Sequence, residues 1–137
     1  MFVVGEASGD AHAAHLVEAL RAQAPETEFE FFGSTGQHLR DVGVETIVKA
    51  DDLAIMGLLE IGKALPMFWK VFRTLKEAAI ERKPDAVVLV DFPDFNMKLA
   101  KSLKKEGLKV IYYVSPQLWA WRSYRIKTIA KIGRAHV

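Results

Sequence analysis

The residues best placed to do chemistry are Asp91, Asp94 and Asn96, in the run Asp91-Phe92-Pro93-Asp94-Phe95-Asn96. The run follows Ala86-Val87-Val88-Leu89-Val90, an unbroken apolar stretch of strand length that reads as a fully buried strand. Ligands of open α/β sheets bind outside the carboxyl ends of the strands, so polar groups at that point face a crevice and not a core. Asp94, just after Pro93 and just ahead of a helix, has a structural use as a cap. Asp91 has no such duty, and a carboxylate at the end of a buried strand can act as a general base towards an attacking hydroxyl.

Two further segments open on the same edge. Gly5-Glu6-Ala7-Ser8-Gly9-Asp10 is a small glycine-bearing loop between a strand and a helix. Such a loop lets backbone amides at the helix N-terminus approach an anion, and Ser8 or Asp10 could cap that helix. Its bland reading is a plain βα turn. It has neither the G-x-G-x-x-G spacing nor a P-loop lysine, so pattern alone implies no nucleotide phosphate. Ser115-Pro116-Gln117-Leu118-Trp119-Ala120-Trp121-Arg122 leaves the following strand. Two tryptophans beside an arginine suit a sugar face or an anionic group, unless the indoles are core anchors.

A helix after Met56-Gly57 carries apolar residues at 58, 61, 65, 68, 72, 75 and 79, a stripe expected to face the core. Leu59, Met67, Trp69 and Val71 fall outside the stripe, among Lys63, Lys70, Arg73 and Lys76. Excess apolar surface rimmed by lysine suits an interfacial helix, and burial against another domain would look the same. Glu60, close to the helix start, complements the helix dipole. His12 and His15 share the first helix with no carboxylate to complete a metal site, so they read as surface or partly buried residues and no metal is expected.

The elements that must position these groups alternate as in an α/β protein with a Rossmann-like, doubly wound parallel sheet. Strands are expected at Phe2 to Val4, Glu28 to Phe32, Val44 to Val48, Ala86 to Val90 and Lys109 to Val114. Helices are expected from Asp10 to Ala24, about Thr35 to Asp41, Leu58 to Arg82 with a bend near Pro66, Phe95 to Lys105, and Arg122 to Lys131, with a loop through Asp51 and Asp52.

The 137 residues, half of them hydrophobic, suffice for one domain with a proper core. Cysteine is absent, which rules out disulfides and thiolate metal sites. No stretch approaches the roughly 20 apolar residues of a membrane span, and no leader pattern precedes the first motif. The net charge of +2 hides an asymmetry: residues 97–137 hold ten Lys or Arg against the single acid Glu106. A basic end suggests an anionic partner, and its bland reading is a solvated face. The first strand looks clipped. Residues 132–137, Ile-Gly-Arg-Ala-His-Val, are what ATC GGA AGA GCA CAC GTC encodes, the start of a common sequencing adaptor, so this tail is set aside as non-native.

Taken together, GEASGD at residues 5–10, AIMGLLE at 54–60, DFPDFN at 91–96 and YVSPQLWAWR at 113–122 resemble the lipid-A-disaccharide synthases, and the resemblance spans about residues 2 to 131. Members are much longer, so it covers only their front portion. It implies the acceptor-binding, N-terminal half of a GT-B glycosyltransferase, here residues 1–131, truncated at both ends. The family enzyme joins UDP-2,3-diacylglucosamine to 2,3-diacylglucosamine 1-phosphate, inverting the anomeric centre without metal or cofactor and releasing UDP and the β-1,6 disaccharide of lipid A. By the same resemblance Asp91 is the general base. Gly5, Glu6, Ser8, Gly9, Asp10, Asn96, Ser115, Trp121 and Arg122 line the acceptor side, and Met56, Gly57 and Glu60 belong to the motif that offers apolar surface to acyl chains and membrane. A cytoplasmic enzyme of Gram-negative bacteria, peripheral to the inner membrane, is implied. The donor domain lies outside this chain, so the fragment alone is expected to be inactive.

Two other readings stay open. One is a non-catalytic module that binds lipid or a membrane surface through the long helix and the basic end. The other is a nucleic-acid-binding domain using Trp119, Trp121 and the basic helix behind them. The resemblance itself implies no nucleic-acid partner.

Overall fold

A computed structural model of the protein describes residues 1–56, 59, 61–113 and, as backbone, 134–136. The elements are β1 (Phe2–Val4), α1 (Ala7–Gln23), β2 (Phe32–Thr35), α2 (Gln37–Asp41), β3 (Glu45–Lys49), α3 (Ala50–Met56), α4 (Ile61–Arg82), β4 (Val87–Val90), α5 (Pro93–Lys105), β5 (Val110–Tyr113) and β6 (Arg134–His136). All strand pairs are parallel, in the order β3-β2-β1-β4-β5-β6. This is the doubly wound α/β arrangement expected from the sequence. The strand order reverses between β1 and β4, which makes their carboxyl ends the topological switch point.

Alternation along the strands divides the core in two. Phe2, Val4 and Val90 pack with Ala13, Ala14 and Val17 of α1 and Leu39 of α2. Val3, Val87 and Leu89 pack on the opposite face with Leu53 of α3, Val71 and Leu75 of α4, and Leu99 and Leu103 of α5. Beneath the sheet Arg82 lies 3.9 Å from the Phe32 ring centroid and pairs with Glu30 and Glu45, tying the end of α4 to the β2–β3 side.

Several expectations are corrected by tertiary context. The second strand is Phe32–Thr35, not residues 28–32. Its polar residues are buried because their hydroxyls have partners. Ser34 Oγ accepts from Val4 N–H and donates to Val4 C=O, both at 2.8 Å, while Thr35 and Thr46 hydroxyls bond at 2.7 Å. Asp51 and Asp52 are not in a loop but in the first turn of α3, where carboxylates complement the helix dipole. Ala50, Leu53 and Met56 give α3 its buried face. The long helix therefore begins at Ile61 and not at Leu58, and contains Pro66 in its second turn. The proposed stripe also shifts: Val71 is buried, whereas Leu65 is 49% exposed and belongs to the outer face. The expected helix at 122–131 lies outside the described residues. The set-aside tail carries β6, whose parallel ladder with Ile111–Tyr113 uses backbone groups that any sequence has.

Asp10 does not cap its own helix. Glu6 occupies the N-cap of α1 without a side-chain bond, and Asp10, inside the first turn and 2% exposed, turns across to α2. Its Oδ1 accepts from the Gly36 and Leu39 N–H groups at 2.9 and 3.2 Å, and its Oδ2 from His38 N–H at 2.8 Å. These are donors that a helix start leaves unpaired. A Cβ at Gly36 would lie 2.4 Å from the Asp10 carboxyl carbon, so glycine is required there. Replacing Asp10 with Ala strands three N–H groups in a buried place and is expected to cost about 3 kcal/mol, read as a lower urea midpoint at unchanged slope.

Candidate active site

Register sets the site. Val4 lies opposite Val90, so the Gly5 loop and Asp91 leave neighbouring strands side by side. Asp91 and Phe92 both adopt left-handed backbone, with φ of 50° and 48°. Two such non-glycine residues in a row cost on the order of 1–3 kcal/mol each and persist only where the surroundings hold them. The elbow turns the chain sharply into α5, with Phe92 at its N-cap and Pro93 at its first position. Asp94 is therefore not the cap; it sits in the first turn of α5, where its charge complements the helix dipole.

The surroundings hold the elbow through its backbone and one ring. Phe92 lies against Gly5, where an added Cβ would stand 2.5 Å from the Phe92 Cγ. The carbonyl of Asp91 accepts from Asn96 Nδ2 at 2.7 Å and from the Tyr112 hydroxyl at 2.9 Å. Asn96 Nδ2 also points at the carbonyls of Val90 and Val3, at 3.4 and 3.5 Å. Three facing acceptors require the nitrogen on that side of the amide. Burial first, and the Asp91 charge second, push the Tyr112 phenol well above its ordinary range, so it remains a protonated donor.

The residues singled out in the sequence separate by role. Asp91 is half-buried at the sheet edge, and Glu6 and Ser8 are exposed beside it at the start of α1. Gly5, Gly9 and Asp10 are buried and Gly9 packs against Val90, so these three build the loop, while Glu6 and Ser8 are exposed. Asn96 is wholly buried, and its amide nitrogen holds backbone carbonyls. Met56 is buried at the end of α3 and packs into the core. Gly57, Glu60, Ser115, Trp121 and Arg122 lie outside the described residues, as does Trp119. His12 and His15 are exposed on α1. The sequence reading missed Phe92 and Tyr112. The tyrosine pair closing the strand Val110–Tyr113 was the available signal, because a buried hydroxyl needs a partner.

The family model for lipid-A-disaccharide synthetase matches residues 1–135. The chain belongs to the lipid-A-disaccharide synthetase family. It is 49% identical over 132 residues to the lipid-A-disaccharide synthase of Myxococcus xanthus, covering 96% of this chain and 34% of that protein. The enzyme so named from Geobacter metallireducens is 47% identical over 133 residues, with the same 96% and 34% coverage. The chain thus spans about a third of the length of these family relatives.

A row of rings leaves the elbow. Phe92 meets Phe95 at 5.7 Å, Phe95 meets Phe68 and Phe72 at 5.3 and 5.9 Å, and these meet Trp69 at 5.4 and 5.6 Å. Trp69 is 52% exposed, and Ile55, Leu59, Leu65 and Ile80 are other large apolar side chains open to solvent. Among the described residues no helix is long and apolar enough to cross a membrane.

The raised Tyr112 pKa makes a signed prediction. The fold holds that proton more tightly than the unfolded chain does, so its stabilisation is complete below about pH 10, the ordinary tyrosine value, and is lost as pH rises through the folded value. Denaturant titrations above pH 10 are expected to show falling stability, with a shallower fall in Tyr112→Phe. Gly5→Ala is expected to displace the Phe92 ring, visible as altered near-UV circular dichroism with far-UV signal retained.

Proposed function

We infer that this chain is the acceptor half of a GT-B glycosyltransferase of lipid A biosynthesis, with Asp91 as its general base. The single observation that carries the reading is the half-buried carboxylate of Asp91 at the switch point of a family member's sheet, beside the exposed Glu6 and Ser8. The donor is UDP-2,3-diacylglucosamine and the acceptor 2,3-diacylglucosamine 1-phosphate. The acceptor 6-hydroxyl oxygen attacks the anomeric carbon of the donor while Asp91 takes its proton. The bond from that carbon to the UDP oxygen breaks, and UDP leaves with the electron pair. Attack from the opposite face inverts the centre and gives the β-1,6 linkage. Residues of the downstream sequence hold the donor, so turnover requires them.

The apolar row on the outer face of α4 supports a membrane-surface role for the same half. Leu65 and Trp69 lie on one stripe, Lys63, Lys70 and Arg73 are exposed around them, and the Lys98 ammonium stands 5.4 Å from the Phe68 ring. Acyl chains gain about 0.8 kcal/mol per buried methylene, so an apolar wall running from the elbow to that surface suits a diacylated sugar drawn from a bilayer. Anionic headgroups add attraction to the lysines.

The test is a transferase assay on the chain extended by its native downstream sequence. Asp91→Asn is expected to lower kcat by roughly 10²- to 10⁴-fold, the range of a lost general base. Lipid-dependent UDP release persisting at the wild-type rate in that variant would remove Asp91 from the mechanism. Binding of the lipid acceptor without any turnover in the intact protein would favour the non-catalytic lipid module. For the outer face, Leu65→Ser combined with Trp69→Ser is expected to weaken sedimentation with anionic vesicles by about tenfold or more, since each large apolar side chain is worth about 1.5–3 kcal/mol when buried.

A further inference from the structure

We propose that Tyr112 and Asn96 are positioning residues that clamp the Asp91 carbonyl and thereby aim the Asp91 carboxylate; the inference rests on the general-base reading above.

The argument begins with a carbonyl that has left the sheet. Through Val90 the backbone of β4 is in parallel ladders with β1 and β5. At Asp91 the backbone turns left-handed, so its C=O no longer points along a ladder and needs donors from elsewhere. A carbonyl oxygen has two lone pairs, and both are taken here, one by the Asn96 amide at 2.7 Å and one by the Tyr112 hydroxyl at 2.9 Å. Asn96 lies in the helix turn that the elbow opens, whereas Tyr112 is 21 residues beyond Asp91. Tyr112 comes from β5, across the ladder from Leu89, and Asn96 comes from the first turn of α5 while also reaching the Val3 carbonyl of β1. The clamp therefore ties the elbow to β1, β5 and α5 at once.

Fixing the peptide after Asp91 fixes the direction of its Cα–Cβ bond. Phe92, pressed on Gly5, prevents the next residue from swinging to compensate. Both donors are themselves immobilised: Asn96 is wholly buried and Tyr112 nearly so, with Tyr112 held protonated by its burial. Neither side chain is placed to meet a substrate, so each acts only through Asp91. General-base catalysis depends on a near-attack geometry, and a misplacement of about 1 Å can cost on the order of 100-fold in rate. A loosened clamp should thus lower kcat and leave acceptor affinity alone.

The experiment is a double-mutant cycle in the chain extended by its native downstream sequence, with kcat, acceptor KM and melting temperature measured for each variant. Tyr112→Phe keeps the ring and removes only the donor; Asn96→Ser tests the second donor, and if it fails to fold Tyr112→Phe alone decides. The expected result is a kcat lower by about tenfold or more in Tyr112→Phe with acceptor KM within about twofold of wild type, and no further loss when Tyr112→Phe is added to Asp91→Asn. A folded Tyr112→Phe with wild-type kcat overturns the clamp and leaves the general base intact, provided Asp91→Asn is crippled. So does a loss that appears only in KM, or one that adds fully to that of Asp91→Asn. Wild-type turnover in Asp91→Asn overturns the base and the clamp together.

Discussion

Parallel pairing of β1 with β4 is the constraint on which the remainder depends. It joins segments far apart in the chain, with Phe2 opposite Val88 and Val4 opposite Val90. Because both strands run the same way, both end on the same edge, and the Gly5 loop and the Asp91 elbow emerge together. A slip of one residue would turn Val3 and Leu89 from one face to the other and disperse both halves of the core. Register is therefore enforced by apolar burial on two faces, and the candidate site inherits its geometry from that burial.

Polar groups buried near this edge carry the next level of organisation. Asp10, Ser34, Thr35 and Asn96 are the buried polar side chains among the described residues. Asp10 takes the free N–H groups of α2, Ser34 bonds both main-chain groups of Val4, and Asn96 gathers carbonyls from β1 and the elbow. Each would be costly without a partner; the partners of Asp10, Ser34 and Asn96 are backbone groups, and that of Thr35 is the Thr46 hydroxyl. Asn96 Oδ1 is the one buried side-chain nitrogen or oxygen among the described residues without a hydrogen bond. The amide tolerates this because its nitrogen is needed where three carbonyls converge.

The same helix that closes one core leaves another surface open. Val71, Leu75 and Ala79 of α4 are buried, whereas Leu65, Trp69 and Ile80 point away from the sheet. Phe68 and Phe72 lie between the two sets and pass ring contacts from Phe95 to Trp69. An apolar path thus runs without interruption from the elbow to solvent. That continuity joins the polar edge of the sheet to the exposed apolar face of α4.

The amino-acid sequence alone determined the α/β class, the strand ending at Val90 and the placement of Asp91 at its carboxyl end, because an apolar run followed by carboxylates is a local pattern with one economical fold. Its quoted motifs also pointed to the family. Tertiary structure decided what the neighbouring polar residues do. Asp10 reads locally as a cap for α1 and Asn96 as a ligand group, yet Asp10 serves α2 and Asn96 serves the Asp91 carbonyl. The strand reads as ending at Phe32 with a helix starting near Thr35, yet Ser34 and Thr35 continue the strand. For Asp10 and Ser34 the deciding partners are backbone groups 26 to 30 residues away, and for Thr35 the Thr46 hydroxyl of the next strand; partners set by tertiary contact leave no periodicity to read. Apolar burial repeats along the chain and is legible there; the satisfaction of a buried polar atom depends on what folds against it.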